Sequence, residues 1–167
     1  MHDKNCLKIL FFAVAAFSPF FAFEALAGQF HVLKVYDGDT IQVDKMGKTF
    51  TVRLAGIDAP ENNQPFSEEA KKYLTDLCLN QTADIKAYGT DRYGRTLGTV
   101  VLFYTTDASL EMIKAGLAEI YRGRFPKGLD SRLYKEAESE ARKKGLGMWS
   151  LGAEYISPRD WKRNIWE

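Results

Sequence analysis

Three short runs of alternating apolar and polar residues, divided by tight turn signals, constrain the fold of this chain most strongly. The runs cover residues 29–36, 40–43 and 49–54, and Asp37-Gly38 and Met46-Gly47 lie between them. A period of two, bounded by Gly and Asp, is typical of strands that are joined by short turns. The sequence therefore predicts a β-meander of three strands.

The remaining pattern alternates between helical and strand character. Spacing of apolar residues predicts a helix over Ser67–Leu79, with Ser67 as the N-cap, and a period of two then returns. The further predicted elements are two strands, 83–88 and 96–104, and two helices, 109–115 and 130–144. Five strands with helices in this order indicate an α+β domain that is mainly β barrel. We predict an OB-fold with a five-stranded barrel and helices on one side.

The first 27 residues have the features of a secretory signal. Lys4 and Lys8 flank the start of an apolar run, 9–23, and Ala25-Leu26-Ala27 offers a small-residue cleavage site. The run is shorter than the roughly 20 residues that a membrane span needs. We predict a cleaved signal peptide, 1–27, a domain, 28–150, and a C-terminal tail, 151–167, and hence a secreted or periplasmic protein with no membrane association after cleavage. A retained N-terminal anchor is the alternative for the first segment, and the tail is either a packed strap or a loose extension.

Composition excludes several kinds of site in the mature chain. The formal net charge of the whole chain is +1, so nucleic-acid binding would have to depend on a local electrostatic field. Cys6 lies in the predicted signal, which leaves Cys78 without a partner for an internal disulfide. We expect Cys78 to pack as a small apolar residue. His31 is the single histidine after residue 27, so the sequence contains neither a zinc-ligand set nor a histidine-based triad.

The residues with the most chemical potential lie at the ends of the predicted strands. Asp39 follows the first turn, Arg53 lies next to the end of the third strand, and Asp58 and Glu61 follow within eight residues. Hard cations prefer oxygen ligands, and hydrolysis of a phosphodiester needs positive charge and a base that activates water. This one region supplies all three, which predicts a metal-assisted attack on a phosphodiester.

Three sequence motifs resemble those of the thermonuclease family, also called staphylococcal-nuclease-like proteins. They are Val-Tyr-Asp-Gly-Asp-Thr at 35–40, Arg-Leu-Ala-Gly-Ile-Asp-Ala-Pro-Glu at 53–61 and Asp-Arg-Tyr-Gly-Arg at 91–95. Each motif alone would be weak evidence, and Asp-Gly-Asp is common in turns, but three motifs in this order beside the expected elements are highly specific. The resemblance implies an OB-fold barrel with three helices and calcium-dependent hydrolysis of nucleic-acid phosphodiesters.

The same resemblance implies a calcium site. Asp39 and Asp58 would be the carboxylate ligands, Ala59 would contribute its backbone carbonyl, and Thr40 would help to hold the site. The family has a threonine where this chain has Ala59. Because only the carbonyl of that residue is expected to bind calcium, the departure affects support by the side chain rather than ligation.

The catalytic and substrate-binding residues are also implied by the resemblance. Glu61 would be the general base on the attacking water, and Arg53 and Arg95 would bind the phosphate. Tyr93 and Tyr121 would line the nucleotide pocket. From the residues alone, Tyr121 fits a core position as well as it fits a substrate contact.

The resemblance, together with the predicted signal, implies a secreted, calcium-dependent endonuclease that acts on DNA and/or RNA and leaves 3′-phosphate ends. Tyrosines that stack on unpaired bases favour single strands, and a monomer is expected. One alternative is a non-catalytic OB-fold module that binds nucleic acid; such a module would typically have lost part of the acidic and arginine set. Another alternative is a calcium-binding or interaction domain, which would not need Arg53, Arg95 and Glu61 together.

Overall fold

The computed structural model describes residues 29–164 of the protein. The predicted signal peptide, 1–27, lies outside the described residues, as do residues 165–167. Eight strands occur in the described part: β1 Gln29–Val35, β2 Thr40–Lys45, β3 Lys48–Leu54, β4 Ile57–Asp58, β5 Thr82–Thr90, β6 Thr96–Leu102, β7 Thr106–Asp107 and β8 Glu119–Ile120. The helices of this part are α1 Ser67–Cys78, α2 Ala108–Lys114, α3 Arg132–Lys143 and α4 Pro158–Asn164, with a 3₁₀ segment, Gly147–Glu154, that is kinked at Gly152.

Five of the strands close into a mixed barrel. The order β3-β2-β1-β5-β6 is antiparallel throughout, and a parallel pairing of β3 with β6 closes the sheet. Along β1 the buried Phe30 and Val32 alternate with exposed neighbours, so one face of the strand fills the barrel. The predicted meander and the predicted five-stranded OB-fold barrel are confirmed.

The three predicted helices correspond to α1, α2 and α3, whereas α4 and the 3₁₀ segment are additional. The N-cap prediction for α1 was wrong. The cap is Phe66, which has a left-handed φ of 71°, and Ser67 is the first helical residue. The reason is the preceding turn, in which the Ser67 N–H donates a hydrogen bond to the Gln64 carbonyl at 3.1 Å. Ser67 therefore takes the first helical position, and Phe66 takes the cap position.

Cys78 packs in the core as expected. It is fully buried, and its thiol donates a hydrogen bond to the Leu74 carbonyl at 2.9 Å. Burial raises the pKa of the Cys78 thiol to about 12, so the group is inert at neutral pH. Among residues 29–164, no helix has both the length and the apolar character to cross a bilayer.

Residues 155–164, which we call the C-terminal strap, pack against the rest of the domain. The Tyr155 ring contacts the Trp149 ring with a centroid distance of 4.6 Å, and the Ile156 carbonyl accepts a hydrogen bond from the Gln64 side chain at 2.8 Å. Ser157 is buried. These contacts fix α4 beside the loop that follows β4.

Candidate active site

An open cleft of about 730 Å³ lies where the β1–β2 turn, the β3–β4 segment, the β5–β6 turn and the C-terminal strap come together. Thr40, which was expected to help to hold the site, is buried outside the lining of the cleft and donates a hydrogen bond to Asp39 Oδ1 at 3.1 Å. The predicted metal-ligating, catalytic and substrate-binding residues all line the cleft. These residues are Asp39, Arg53, Asp58, Ala59, Glu61, Tyr93, Arg95 and Tyr121.

The β1–β2 turn places Asp39 against β4. Asp37 accepts the Asp39 N–H at 3.0 Å, and Asp39 Oδ2 accepts the Ala59 N–H at 2.9 Å, although these last two residues are 20 positions apart. A Cβ on Gly38 would lie 2.7 Å from the Ala59 Cβ, so only glycine lets the turn pack this closely. The sequence predicts a turn at Asp37-Gly38; the structure gives Asp37 that role and also places it in the cleft.

Arg53 bridges the two carboxylates that were predicted to bind calcium. Its Nη2 donates to Asp58 Oδ1 at 2.7 Å, and its Nη1 forms an ion pair with Asp39 Oδ2. The register of the barrel explains the geometry, because Arg53 lies opposite Thr40 on β2. The side chain is only 14% exposed, so its charge needs these partners.

Negative charge is crowded at this end of the barrel. Burial raises the pKa of Asp58 to about 6, and the charges of Asp39 and Glu61 act in the same direction, although Arg53 and Lys162 oppose them. Burial and the neighbouring Asp39 also raise the pKa of Asp37 to about 6. Such a site would gain from a cation in addition to Arg53.

Arg95 is oriented by the β5–β6 turn. Its Nε donates to Asp91 Oδ2 at 2.7 Å, its backbone N–H donates to Asp91 Oδ1 at 3.0 Å, and its Nη1 reaches Thr40 Oγ1 at 3.4 Å. The pKa of Asp91 is lowered. Burial alone would raise it, but the hydrogen bonds that Asp91 accepts from Arg95 outweigh this effect. Sequence reasoning missed Asp91 as a support for the arginine; its position at the start of an Asx-type turn was the available signal.

Glu61 contacts a residue that sequence reasoning did not consider. Its Oε1 accepts a hydrogen bond from Lys162 Nζ of α4 at 2.7 Å, and its backbone N–H donates to Gln64 Oε1 at 2.9 Å. Arg159 of the same helix also lines the cleft. The signal for α4 was present as Ser157-Pro158-Arg159-Asp160, a capping-box pattern with Pro at the first helical position.

The two predicted nucleotide-contacting tyrosines lie on the cleft surface. Tyr93 is 65% exposed and Tyr121 is 44% exposed, so Tyr121 is not a core residue. The Arg95 guanidinium lies 5.4 Å from the centroid of the Tyr93 ring. Arg122 and Arg124 line the cleft as well. Rings and guanidinium groups of this kind can stack on bases and contact phosphates.

Comparison with family models shows to which protein family the chain is related. A family model described as staphylococcal nuclease homologue matches residues 51–151. The chain belongs to the staphylococcal nuclease family. The matched range contains Arg53, Asp58, Glu61 and Arg95, and it starts after Asp39.

Curated relatives carry nuclease names. A micrococcal nuclease of Shigella flexneri is 40% identical over 140 residues, which cover 79% of this chain and 79% of that protein. An uncharacterized endonuclease of Haemophilus influenzae is 38% identical over 133 residues, 79% of this chain and 71% of that protein. A probable endonuclease, LCL3, of Coccidioides posadasii is 40% identical over 139 residues, and the match spans 71% of this chain but only 44% of the fungal protein.

Proposed function

We propose that the protein is a calcium-dependent endonuclease that hydrolyses phosphodiester bonds of DNA and/or RNA. The observation that supports this most is that one cleft brings together the side chains of Asp39, Asp58, Glu61, Arg53 and Arg95. The nuclease names of relatives at about 40% identity support the same substrate class.

The donor set of the cleft fits calcium. Carboxylate oxygens of Asp39 and Asp58 and the backbone carbonyl of Ala59 are hard ligands, and calcium takes six to eight oxygens in flexible geometry. Within residues 29–164, no group of three or more His, Cys, Asp or Glu side chains is arranged to hold a metal. The proposed site uses the two carboxylates and the carbonyl that the family resemblance implies, and leaves other positions for water and a phosphate oxygen. When bound, calcium would polarise the phosphate and acidify nearby water.

The side chains of the cleft would then divide the remaining work. Glu61 accepts the proton of the water that attacks phosphorus. Arg53 and Arg95 donate hydrogen bonds to the phosphate oxygens, on which negative charge grows in the transition state. The 5′ oxygen leaves, and the other product keeps a 3′-phosphate. Tyr93 and Tyr121 stack on unpaired bases, which favours single-stranded substrates.

The cellular setting is part of the proposal. Cleavage of a signal peptide after residue 27 would release a secreted or periplasmic protein without a membrane anchor. Residues 28–150 would form the nuclease domain, followed by a tail from 151, and the protein would act as a monomer.

Digestion of a single-stranded DNA oligonucleotide tests the proposal directly. We expect cleavage in calcium, none in excess chelator, and recovery when calcium is restored, because the ligand set lacks its cation in the chelator. Product ends are identified by their susceptibility to a 3′-phosphatase. Binding without cleavage would instead support the nucleic-acid-binding module, and neither binding nor cleavage would support the calcium-binding or interaction domain.

Arg95→Lys is expected to lower kcat at least tenfold while the protein folds normally. Lysine keeps the charge but cannot donate two parallel hydrogen bonds to phosphate oxygens. The measurement is steady-state cleavage of the same oligonucleotide, with Arg132→Lys, an exposed residue of α3, as the matched control. If Arg95→Lys turns over nearly as fast as the parent, the paired hydrogen bonds of the guanidinium group are dispensable.

A further inference from the structure

The C-terminal strap reaches the proposed general base through one side chain. Lys162 Nζ lies 2.7 Å from Glu61 Oε1, although the two residues are 101 positions apart. We propose that Lys162 is a positioning residue for Glu61, which makes the strap a component of the active site. This inference depends on the proposed nuclease function.

The strap is anchored well enough to fix a side chain. The Tyr155 hydroxyl donates to the buried carboxylate of Glu119 at 2.7 Å. Ser157 caps α4, because its Oγ accepts the Asp160 N–H at 3.1 Å and donates to Asp160 Oδ2 at 2.6 Å. The helix therefore starts at a defined point, and Lys162 projects from its second turn.

A buried glutamine joins the strap to the loop that carries Glu61. Gln64 is 6% exposed, and both ends of its amide are bonded. Gln64 Oε1 accepts the Glu61 N–H at 2.9 Å, and Gln64 Nε2 donates to the Ile156 carbonyl at 2.8 Å. The backbone of Gln64 also donates to the Glu61 carbonyl at 2.9 Å. Loop and strap thus form one hydrogen-bonded unit beneath the Lys162–Glu61 contact.

The contact leaves the other oxygen of Glu61 available. Lys162 binds Oε1, and in the part of the chain that the structure describes no hydrogen bond reaches Glu61 Oε2. When one oxygen of a carboxylate is held, the second oxygen points in a defined direction. A general base needs this, because the second oxygen must face the attacking water. The effect is limited because Lys162 is 56% exposed, and exposed ion pairs hold side chains only weakly.

Steady-state cleavage of a single-stranded DNA oligonucleotide in calcium tests this role. We expect Lys162→Met to lower kcat about two- to fivefold, the order that an exposed pair can supply, with KM within about twofold of the parent. Lys162→Arg should keep most of the parental kcat, because a guanidinium can make the same ion pair. Arg163→Met is the matched control, since Arg163 is an exposed neighbour in α4 that does not line the cleft.

Hydrogen exchange at the Glu61 amide gives an independent readout. It should be faster in Lys162→Met than in Arg163→Met, because the loop loses one of its two links to the strap.

Parental kcat in Lys162→Met would overturn the inference. So would a raised kcat, which would make the contact inhibitory, or a raised KM at constant kcat, which would make Lys162 a substrate ligand. If the parent protein does not cleave, the proposed function itself is overturned. If the parent cleaves and Lys162→Met is equally active, only the positioning role is overturned.

Discussion

Replacement of Glu61 by glutamine is expected to lower kcat about 10²–10⁴-fold, the range that general-base assistance contributes. Glutamine has nearly the same size but does not accept the proton of the attacking water. The bond to Gln64 should survive because it uses the Glu61 backbone, and the loss of the ion pair with Lys162 should cost little because that pair is partly exposed. The substitution should therefore change turnover with little effect on stability.

Single-turnover cleavage at saturating calcium, with the thermal unfolding midpoint measured on the same samples, checks this expectation. Glu154→Gln is a suitable control, because Glu154 is exposed and lies outside the cleft. A Glu61→Gln protein that cleaves within threefold of the parent would remove Glu61 from the mechanism. In that case another group of the cleft would have to accept the proton.

Replacement of Arg53 by glutamine should have the largest effect on stability. Arg53 is 14% exposed and contacts both Asp39 and Asp58, so its removal leaves two crowded carboxylates without their cation. Loss of one partner from such a buried pair costs about 3–5 kcal/mol. We expect the free energy of unfolding to fall by this order in chelator, and activity to be lost as well, because Arg53 is also a proposed phosphate ligand.

Urea unfolding in chelator and then in calcium measures both parts of this expectation. Calcium should recover some of the lost stability, since binding to the folded state stabilises it. Adding Asp58→Asn to Arg53→Gln should also recover stability in chelator, because one of the repelling charges is removed. Arg163→Gln serves as the control. An Arg53→Gln protein as stable as the parent in chelator would show that the bridge between the carboxylates contributes little.

The positions of the strands could be predicted because their signals are local. Alternation over 29–54, with Gly and Asp at the turns, is a property of neighbouring residues, and the barrel strands follow it. The N-cap of α1 was mispredicted. Ser67 is a good capping residue in isolation, but the hydrogen bond that its N–H makes to the Gln64 carbonyl moves the cap to Phe66.

The sequence by itself determined which residue types are available for chemistry and where the chain changes direction, because composition, period and turn preference act over a few neighbouring positions. The structure alone decided which of these groups touch. The bridge from Arg53 to Asp39 and Asp58 depends on strand register, and the approach of Lys162 to Glu61 depends on how a short helix packs 101 residues later. Contacts of this kind arise from barrel closure and from the burial of the strap, and no local pattern encodes them.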